Sequence, residues 1–344
     1  MTSKSEILTE AYRLASEPWR WFRRWQQERA GTVPIVVLFY HRVADVHPTD
    51  WTISRSRFAA QMDWFQENFE LLSMEQVHQR LQSGFNDRPA IAITFDDGYA
   101  ENMDYALPLL AERQIPCMYY VSTSFILNQT FFPHDEKLRL QLHPNSVNDL
   151  KQILAWGLDI GAHTRTHPDV AQITDAEKLH DELVVCRREL MNLLEVPIEH
   201  FAFPYGQTSN ITTAAVQMAR RAGYKTVAAA YGGYNTIGGD PFFIQRVHGD
   251  PSLARIKNWT TLDPRWTSRR PDKQWLTPPS TDGRQAISTA RPTSEPLVTL
   301  ESRPQPIGAH ALEPVEDRPH VLPVPVFDEQ TRTTFPDTPI ISGR

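Results

Sequence analysis

Apolar and polar positions follow two different periods between residues 32 and 262. Seven apolar runs have the length of a β-strand, and four stretches between them repeat apolar residues every three or four positions, as amphipathic helices do. The strand candidates are 35–39, 90–95, 118–121, 159–162, 200–203, 226–229 and 242–244, and the helical stretches are 56–70, 101–114, 175–194 and 211–222. Because the runs are apolar almost throughout, we expect strands buried on both faces, as in a parallel sheet. The order strand, helix, strand predicts an α/β barrel or a wound sheet.

Polar residues follow five of these runs, where the carboxyl end of each strand is expected. His41 follows the first run, Asp96 and Asp97 the second, His163 and His167 the fourth, Pro204 and Tyr205 the fifth, and Arg246 and His248 the last. In α/β folds the carboxyl ends of the strands form the edge that carries the chemistry. The sequence therefore predicts one shared pocket built from these ends.

Two acidic residues and two histidines stand out among these polar residues. Asp96 and Asp97 end an apolar strand, so a positive partner is expected beside the two like charges, although an isolated Asp-Asp-Gly is often only a turn. His163 and His167 are four residues apart, but Pro168 disfavours helical dihedrals at His167, which places the pair on a loop. Two imidazoles and a carboxylate are a set of three ligands that leaves positions on a divalent metal open.

The two ends of the chain differ from this central region. In residues 1–31, a helix that begins near Pro18 would align Trp21, Phe22 and Trp25 as an aromatic stripe beside arginines. Two uses stay open: the stripe packs on the main domain, or it lies in the headgroup layer of a membrane with the arginines on anionic lipid. Residues 263–344 form a Pro-rich tail, with 14 of the 27 prolines from position 264 onward, and are expected to be disordered or extended.

Composition narrows the class of protein. The 344 residues are 40% hydrophobic and 22% charged, which excludes collagen-like, coiled-coil and fully disordered chains. A net charge of -6 gives no general attraction to nucleic acid, so no nucleic-acid partner is expected. Cys117 and Cys186 are too few for a disulfide framework and are expected to be reduced and buried. Because no signal peptide or membrane-spanning run is visible, the expected location is the cytoplasm, with the inner membrane face as an alternative through residues 1–31.

Three of these segments resemble the motifs of the polysaccharide deacetylases, the NodB-type carbohydrate esterases that remove acetyl groups from N-acetylated sugars. Residues 94–98, Thr-Phe-Asp-Asp-Gly, match the first motif, and residues 163–167 match the second, His-[Ser/Thr]-x-x-His. Residues 201–206 are similar to the third, and residues 38–43 resemble the start of the exopolysaccharide-processing branch. The resemblance covers roughly residues 35 to 250 and includes neither end of the chain.

The resemblance implies a fold and a set of roles. The fold would be a distorted (β/α)₇ barrel, and Asp97, His163 and His167 would hold a divalent metal, usually zinc, with cobalt or nickel as other candidates. Asp96 would be the general base that takes a proton from the attacking water. The oxyanion would be held by the metal and by a backbone N–H near Tyr205, beside Pro204.

Two departures from the family pattern leave roles to be filled. Ala202 stands where many members have an arginine that orients the base, and Arg246 is the predicted substitute. The late motif that supplies the general acid is not evident, which leaves His41 and His248 as candidates, with His41 preferred. In addition, Phe132 lies on a long connection between strands, where its ring would stack on a sugar or the loop would only pack on the barrel rim.

The predicted function is that of a metal-dependent N-deacetylase that hydrolyses the acetamide of N-acetylhexosamine units in a polysaccharide or glycan precursor, in exopolysaccharide or cell-envelope synthesis. One alternative is an amidase that removes an acyl or formyl group from a lipid-linked or small amino sugar. A second is a catalytically silent carbohydrate-binding barrel, although the intact acidic and histidine residues argue against it.

Overall fold

The computed structural model describes residues 4–249 and 252–267. The strands are β1 Ile35–Tyr40, β2 Arg42–Val43, β3 Thr52–Ile53, β4 Glu70–Leu71, β5 Ala90–Phe95, β6 Cys117–Val121, β7 Asp159–Ala162, β8 His200–Ala202, β9 Thr226–Ala228, β10 Phe243–Ile244 and β11 Arg246–His248. The α-helices are α1 Lys4–Ala30, α2 Arg55–Asn68, α3 Met74–Ser83, α4 Ala106–Glu112, α5 Thr123–Asn128, α6 Pro133–Lys137, α7 Val147–Ala155, α8 Ala176–His180, α9 Cys186–Leu194, α10 Thr213–Arg221, α11 Leu253–Thr260 and α12 Pro264–Thr267. A π-helical turn, Asp181–Val185, joins α8 to α9.

The main sheet is parallel and curls into a nearly closed barrel of seven strand positions. Its order is β10, β9, β8, β7, β6, β5, β1 and β11, with β4 added beside β5. The last two strands are separated by Gln245 alone: β10 pairs with β9, whereas β11 pairs with β1 in the register Val37 to Arg246. This final segment therefore joins the two edges of the sheet, which confirms the predicted (β/α)₇ barrel.

Two layers of apolar side chains explain why the strands are apolar throughout. In β1, alternate residues such as Val37 point into an inner cluster with Ala92, Met118 and Ile244, and α3 packs against the same cluster. The residues between them, such as Leu38, join the larger cluster beneath the surrounding helices. Since every β1 side chain is buried on one side or the other, the strand carries no polar face.

Helix α1 docks on the barrel through a face other than its aromatic stripe. It begins at Lys4, well before Pro18, and its one buried residue is Arg20. Trp21 and Trp25 are 57% and 41% exposed, so the prediction that the aromatic stripe packs on the main domain is wrong. The opposite, polar face of the helix contacts the barrel through hydrogen bonds from Arg20. The spacing of apolar residues along the sequence does not predict a contact of this kind.

The described structure extends through α12 to residue 267, and the remaining Pro-rich segment, residues 268–344, lies outside the described residues. The predicted disordered tail, residues 263–344, falls on that segment except for residues 263–267, where the prediction is wrong: Asp263 is buried and Pro264–Thr267 is helical. Cys117 and Cys186 are free and buried, as expected. None of the helices in the described ranges combines the length and the apolar character needed to span a membrane.

Candidate active site

The carboxyl ends of the strands bring the predicted polar residues to one edge of the barrel. β1 and β5 run in register up to Tyr40 and Phe95, so His41 and Asp96 follow at the same level. β7 is followed by a loop that carries His163 and His167, as the sequence predicted. The edge therefore collects side chains that are far apart in the chain.

Asp97, His163 and His167 meet at this edge with their ligand atoms within 4.8 Å of one another. The Oδ1 atom of Asp97 lies 3.4 Å from Nε2 of His163 and 3.2 Å from Nε2 of His167. His163 donates from Nδ1 to the carbonyl oxygen of Ala202 at 2.8 Å, which leaves Nε2 with a lone pair when the ring is neutral. This geometry suits a cation placed between the three atoms.

The charges and pKa shifts at these residues also suit a bound cation. Burial favours the neutral form of Asp97, but the nearby histidines outweigh it and hold the pKa of Asp97 well below its usual value. Burial likewise disfavours charged His163, yet Asp96 and Asp97 raise its pKa. Within the described residues, Oδ1 of Asp97 is buried and has no hydrogen-bond partner. The site thus holds excess negative charge that a proton or a metal ion can balance.

Glu182 fixes the loop that presents the two histidines, and no sequence pattern indicates this role. Its carboxylate accepts hydrogen bonds from the backbone N–H groups of Arg165 and Thr166, at 2.9 and 2.8 Å, and from the Thr166 hydroxyl at 2.6 Å. Glu182 lies in the π-helical turn between α8 and α9. Single π turns often occur at functional sites, and they have no periodic sequence pattern by which Glu182 could have been found.

Four residues of the three motifs have a left-handed backbone conformation. Asp97, Thr164, His167 and Tyr205 all have positive φ, between 57° and 73°. The left-handed region costs a non-glycine residue of order 1 kcal/mol or more, and such residues cluster where surrounding structure enforces them for function. The strain is therefore concentrated in the segments that carry the three motifs.

Arg246 holds Asp96 in the way predicted for the missing arginine. Its guanidinium donates to both carboxylate oxygens, Nη1 to Oδ1 at 2.6 Å and Nη2 to Oδ2 at 2.8 Å. Further bonds to Thr94 and the carbonyl of Ala229 orient it, and it is fully buried. Burial alone would raise the pKa of Asp96, but the charge of Arg246 lowers it below its usual value. Asp96 is therefore ionised at neutral pH.

The two candidate acids, His41 and His248, both lie at this edge. Their ring centroids are 6.4 Å apart, and both rings pack against Phe39. Burial lowers the pKa of His41 to about 4, although Asp97 and Asp96 act in the opposite direction. Within the described residues, Nδ1 of His41 and Nε1 of Trp51 are buried without a hydrogen-bond partner, and both residues line a small cavity with His248.

The third motif forms a tight turn at the end of β8. Pro204 is buried and its carbonyl accepts from Gly206 N at 2.6 Å, while Tyr205 is exposed and its ring lies 5.3 Å from that of His167. Gly206 has φ 59°, and a Cβ there would lie 2.7 Å from the Ala230 nitrogen, so a side chain does not fit. The turn therefore brings the side chain of Tyr205 beside a predicted metal ligand.

Phe132 does not occupy the place that the sugar-stacking prediction requires. It is fully buried, stacks on Phe125 at 4.1 Å and meets the ring of His167 edge-on at 5.5 Å. An enclosed ring offers no face to a sugar, so the stacking prediction is wrong, and Phe132 packs inside the loop against the ring of His167. Its neighbour His134, given no role from the sequence, instead lies near the surface of the site, 5.8 Å from the His167 ring, and bonds to the hydroxyl of Tyr99 at 2.9 Å.

The part of the chain that carries the three motifs matches known proteins. A family model described as polysaccharide deacetylase matches residues 84–227, the segment that contains all three motifs. This segment, about two fifths of the chain, is a polysaccharide deacetylase domain. The chain is accordingly a hydrolase of amide bonds in carbohydrates.

Individual relatives have low sequence identity to this chain, and the matches cover between a third and two thirds of it. YxkH of Bacillus subtilis (strain 168), whose name assigns it to the polysaccharide deacetylases, is 21% identical over 66% of this chain and 75% of its own length. A chitooligosaccharide deacetylase of Bradyrhizobium sp. (strain ANU 289) is 25% identical over 34% of this chain and 46% of its own. The solved structure of the deacetylase PplD from Streptococcus pyogenes has a TM-score of 0.58 at 19% identity, covering 66% of this chain and 98% of that one. That likeness supports the barrel fold.

Proposed function

We propose that this deacetylase is a metal-dependent N-deacetylase that hydrolyses the acetamide of N-acetylhexosamine units in a glycan. The observation that carries the proposal is the meeting of Asp97, His163 and His167 beside an ionised Asp96. The metal would be zinc or another divalent ion such as cobalt or nickel, because imidazole and carboxylate ligands suit these ions.

The residues present fit such an ion. The buried Oδ1 of Asp97 has no hydrogen-bond partner in the described part of the chain, and it faces two Nε2 atoms at 3.2 and 3.4 Å. A cation bound by these three atoms would lower the pKa of a water to about 7 and polarise a carbonyl oxygen. Three protein ligands leave room for water and substrate.

Asp96 is the group suited to take a proton from the attacking water. It lies in the chain next to the ligand Asp97, and Arg246 keeps it ionised, which is the form a general base requires. Both oxygens of Asp96 bond to Arg246, so the carboxylate is held in one orientation. The backbone N–H near Tyr205 would donate to the oxyanion that forms on the carbonyl oxygen, an interaction worth about 2.7–4 kcal/mol when a single donor is removed.

His41 is the proposed general acid that protonates the departing amine. Its pKa of about 4 makes the ring neutral at pH 7 before the reaction. Negative charge that develops on the substrate raises the pKa of a nearby imidazole. His41 can therefore receive a proton through solvent and pass it to the amine nitrogen as the C–N bond breaks, so that the amine leaves as a neutral group. The proton that Asp96 takes from the attacking water balances the one that the amine gains.

The substrate class rests on similarity and on the chemistry of the site. Chitooligosaccharide deacetylase is the printed name of a relative that matches about a third of this chain. The predicted setting, exopolysaccharide or cell-envelope synthesis, and a location in the cytoplasm are parts of this proposal.

The test is acetate release from N-acetylated chito-oligosaccharides by the full-length chain in the presence of zinc. We expect acetate from the wild type and none from Asp96→Asn, with similar zinc content in both. Sugar binding without acetate release under zinc, cobalt or nickel would overturn the proposal in favour of a carbohydrate-binding barrel. Formate released from N-formyl sugars, with no acetate from acetylated ones, would favour an amidase of different acyl specificity.

A further inference from the structure

Helix α1 is attached to the barrel through its polar side. The guanidinium of Arg20 is 3% exposed and donates to the carbonyl oxygens of Asn258 and Thr261 at 2.9 and 3.0 Å. The hydroxyl of Tyr12 donates to Asp263 at 3.1 Å. An arginine with satisfied carbonyl partners can dock a helix without apolar contacts, so the apolar face of α1 is left for another use.

The large apolar side chains of α1 are exposed to solvent, and Ile7, Leu14 and Trp21 also border clefts between α1 and its neighbours in the fold. Seven of these side chains are between 38% and 70% exposed, and we call them the outer stripe: Ile7, Leu8, Leu14, Trp19, Trp21, Phe22 and Trp25. Ile7, Leu14, Trp21 and Trp25 follow one another at intervals of seven, seven and four, which keeps them on one side of a helix. The helix has 27 residues and is about 40 Å long, and the outer stripe runs along much of this length. Single apolar residues scattered over a surface are normal, but a row of this extent is not.

The C-terminal half of α1 combines this stripe with positive charge. From Pro18 onward, its exposed residues include three arginines, Arg23, Arg24 and Arg29, while the acid of this stretch, Glu28, is half-buried and lies 3.6 Å from Arg24. The guanidinium of Arg29 lies 4.9 Å from the ring of Trp25, and that of Arg23 lies 6.0 Å from Trp19. Indole rings with arginines beside them suit a boundary that is apolar on one side and anionic on the other.

We propose that the outer stripe docks this protein on the surface of an anionic phospholipid membrane. Helix α1 lies parallel to the bilayer, with the indole and phenyl rings in the headgroup layer and Arg23 and Arg29 on lipid phosphates. We prefer this occupant to a second copy of the chain because a symmetric helix pair would have to enclose the arginines that border the stripe, whereas lipid phosphates neutralise them. The proposal is independent of the enzymatic reaction.

The experiment is sedimentation of the full-length protein with vesicles of phosphatidylglycerol and, separately, of phosphatidylcholine. We expect binding to phosphatidylglycerol that weakens with salt and much weaker binding to phosphatidylcholine. Exchanging Arg23 and Arg29 together for glutamine should weaken the partition by about 25-fold, since each arginine near an anionic surface contributes about fivefold.

A second variant tests the apolar part of the surface. The triple variant Trp21→Ser, Phe22→Ser and Trp25→Ser should lose vesicle binding. The matched control is Leu127→Ser, which changes a side chain 44% exposed on α5 and should bind as the wild type does. Circular dichroism and acetate release from a soluble substrate should be the same in all variants, because α1 takes no part in the site.

Three results would overturn the proposal. Equal vesicle binding by the triple variant and the wild type would place the contact elsewhere. Dimers that light scattering detects in the wild type and not in the triple variant, without vesicle binding, would assign the outer stripe to a second copy. Absence of both vesicle binding and dimers would assign it to another part of this chain or another partner. Because sedimentation needs no turnover, none of these results bears on the deacetylase proposal.

Discussion

Arg246→Met would leave the carboxylate of Asp96 buried without its cationic partner. In the wild type two charge-assisted hydrogen bonds, at 2.6 and 2.8 Å, join the pair, and Asp96 is 3% exposed. Methionine has nearly the length of the arginine stem, so the change removes the charge and the donors more than it removes volume. The variant therefore measures what the positive charge does for Asp96.

The expected loss of stability is large for a single substitution. Removing one partner of a buried ion pair costs about 3–5 kcal/mol. With about 2.1 cal/mol/K of unfolding entropy per residue over roughly 260 folded residues, this corresponds to a fall in Tm of about 5–9 °C. A matched control is Arg187→Met, whose guanidinium bonds to the carbonyls of Ile198 and Ala222 and, among the described residues, to no carboxylate, and which should cost less.

The effect should depend on pH in a defined direction. In the wild type the folded-state pKa of Asp96 is below the usual 3.8, so its stabilising contribution is present above pH 3.8 and is lost as the pH falls through the folded pKa. Without Arg246, burial raises that pKa above 3.8, and ionisation then favours the unfolded state as the pH rises. The gap in Tm between wild type and variant should therefore widen from about pH 4 to about pH 7.

The assays are thermal unfolding across this pH range and acetate release at neutral pH. We expect Arg246→Met to lose most activity, because Asp96 becomes protonated or misplaced. Adding Asp96→Asn to it should recover stability without activity, since the pair is then neutral. An Arg246→Met protein that unfolds at the wild-type temperature, shows no widening of the gap and still releases acetate would refute the assignment of Arg246.

Three further outcomes are expected. His41→Ala should lower turnover by about 10²–10⁴-fold, the usual range for a general acid, and far more than His248→Ala; the opposite order would transfer the role to His248. Glu182→Ala should weaken zinc binding by about 10–100-fold, as losses of a ligand's supporting partner do, while Glu182→Gln keeps an acceptor and most of the affinity; equal affinity in both, measured by competition with a chelator, would contradict the role of Glu182. A thiol reagent should label neither Cys117 nor Cys186 until the protein unfolds, because burial raises the pKa of both thiols, that of Cys186 to about 12; rapid labelling of the native protein would contradict this burial.

The strands were predictable because burial on both faces forces an unbroken apolar run. Ala90–Phe95 and Asp159–Ala162 begin and end where the pattern placed them, and the remaining five strand candidates differ by a residue or two or continue beyond Gln245. Polar residues after such runs were likewise predictable as a shared edge. That inference needs only the parallel order of the strands.

Contacts between distant segments were not predictable. Glu182 reaches the histidine loop through a π turn, and Phe132 is enclosed by a small satellite core with Tyr99 and Phe125. A sequence pattern records which faces are apolar, but it does not record which face meets a neighbour. For the same reason, the sequence pattern does not predict that α1 docks through Arg20 instead of its aromatic residues.

Zinc content is the measurement that tests the central claim most directly. Purified wild type and Asp96→Asn should each hold about one equivalent of zinc after dialysis against excess metal, and Asp97→Ala and His163→Ala should hold none, with only the wild type releasing acetate. Zinc retained at one equivalent by Asp97→Ala, in a protein that is folded by circular dichroism, would contradict the assignment of these three residues as one metal site.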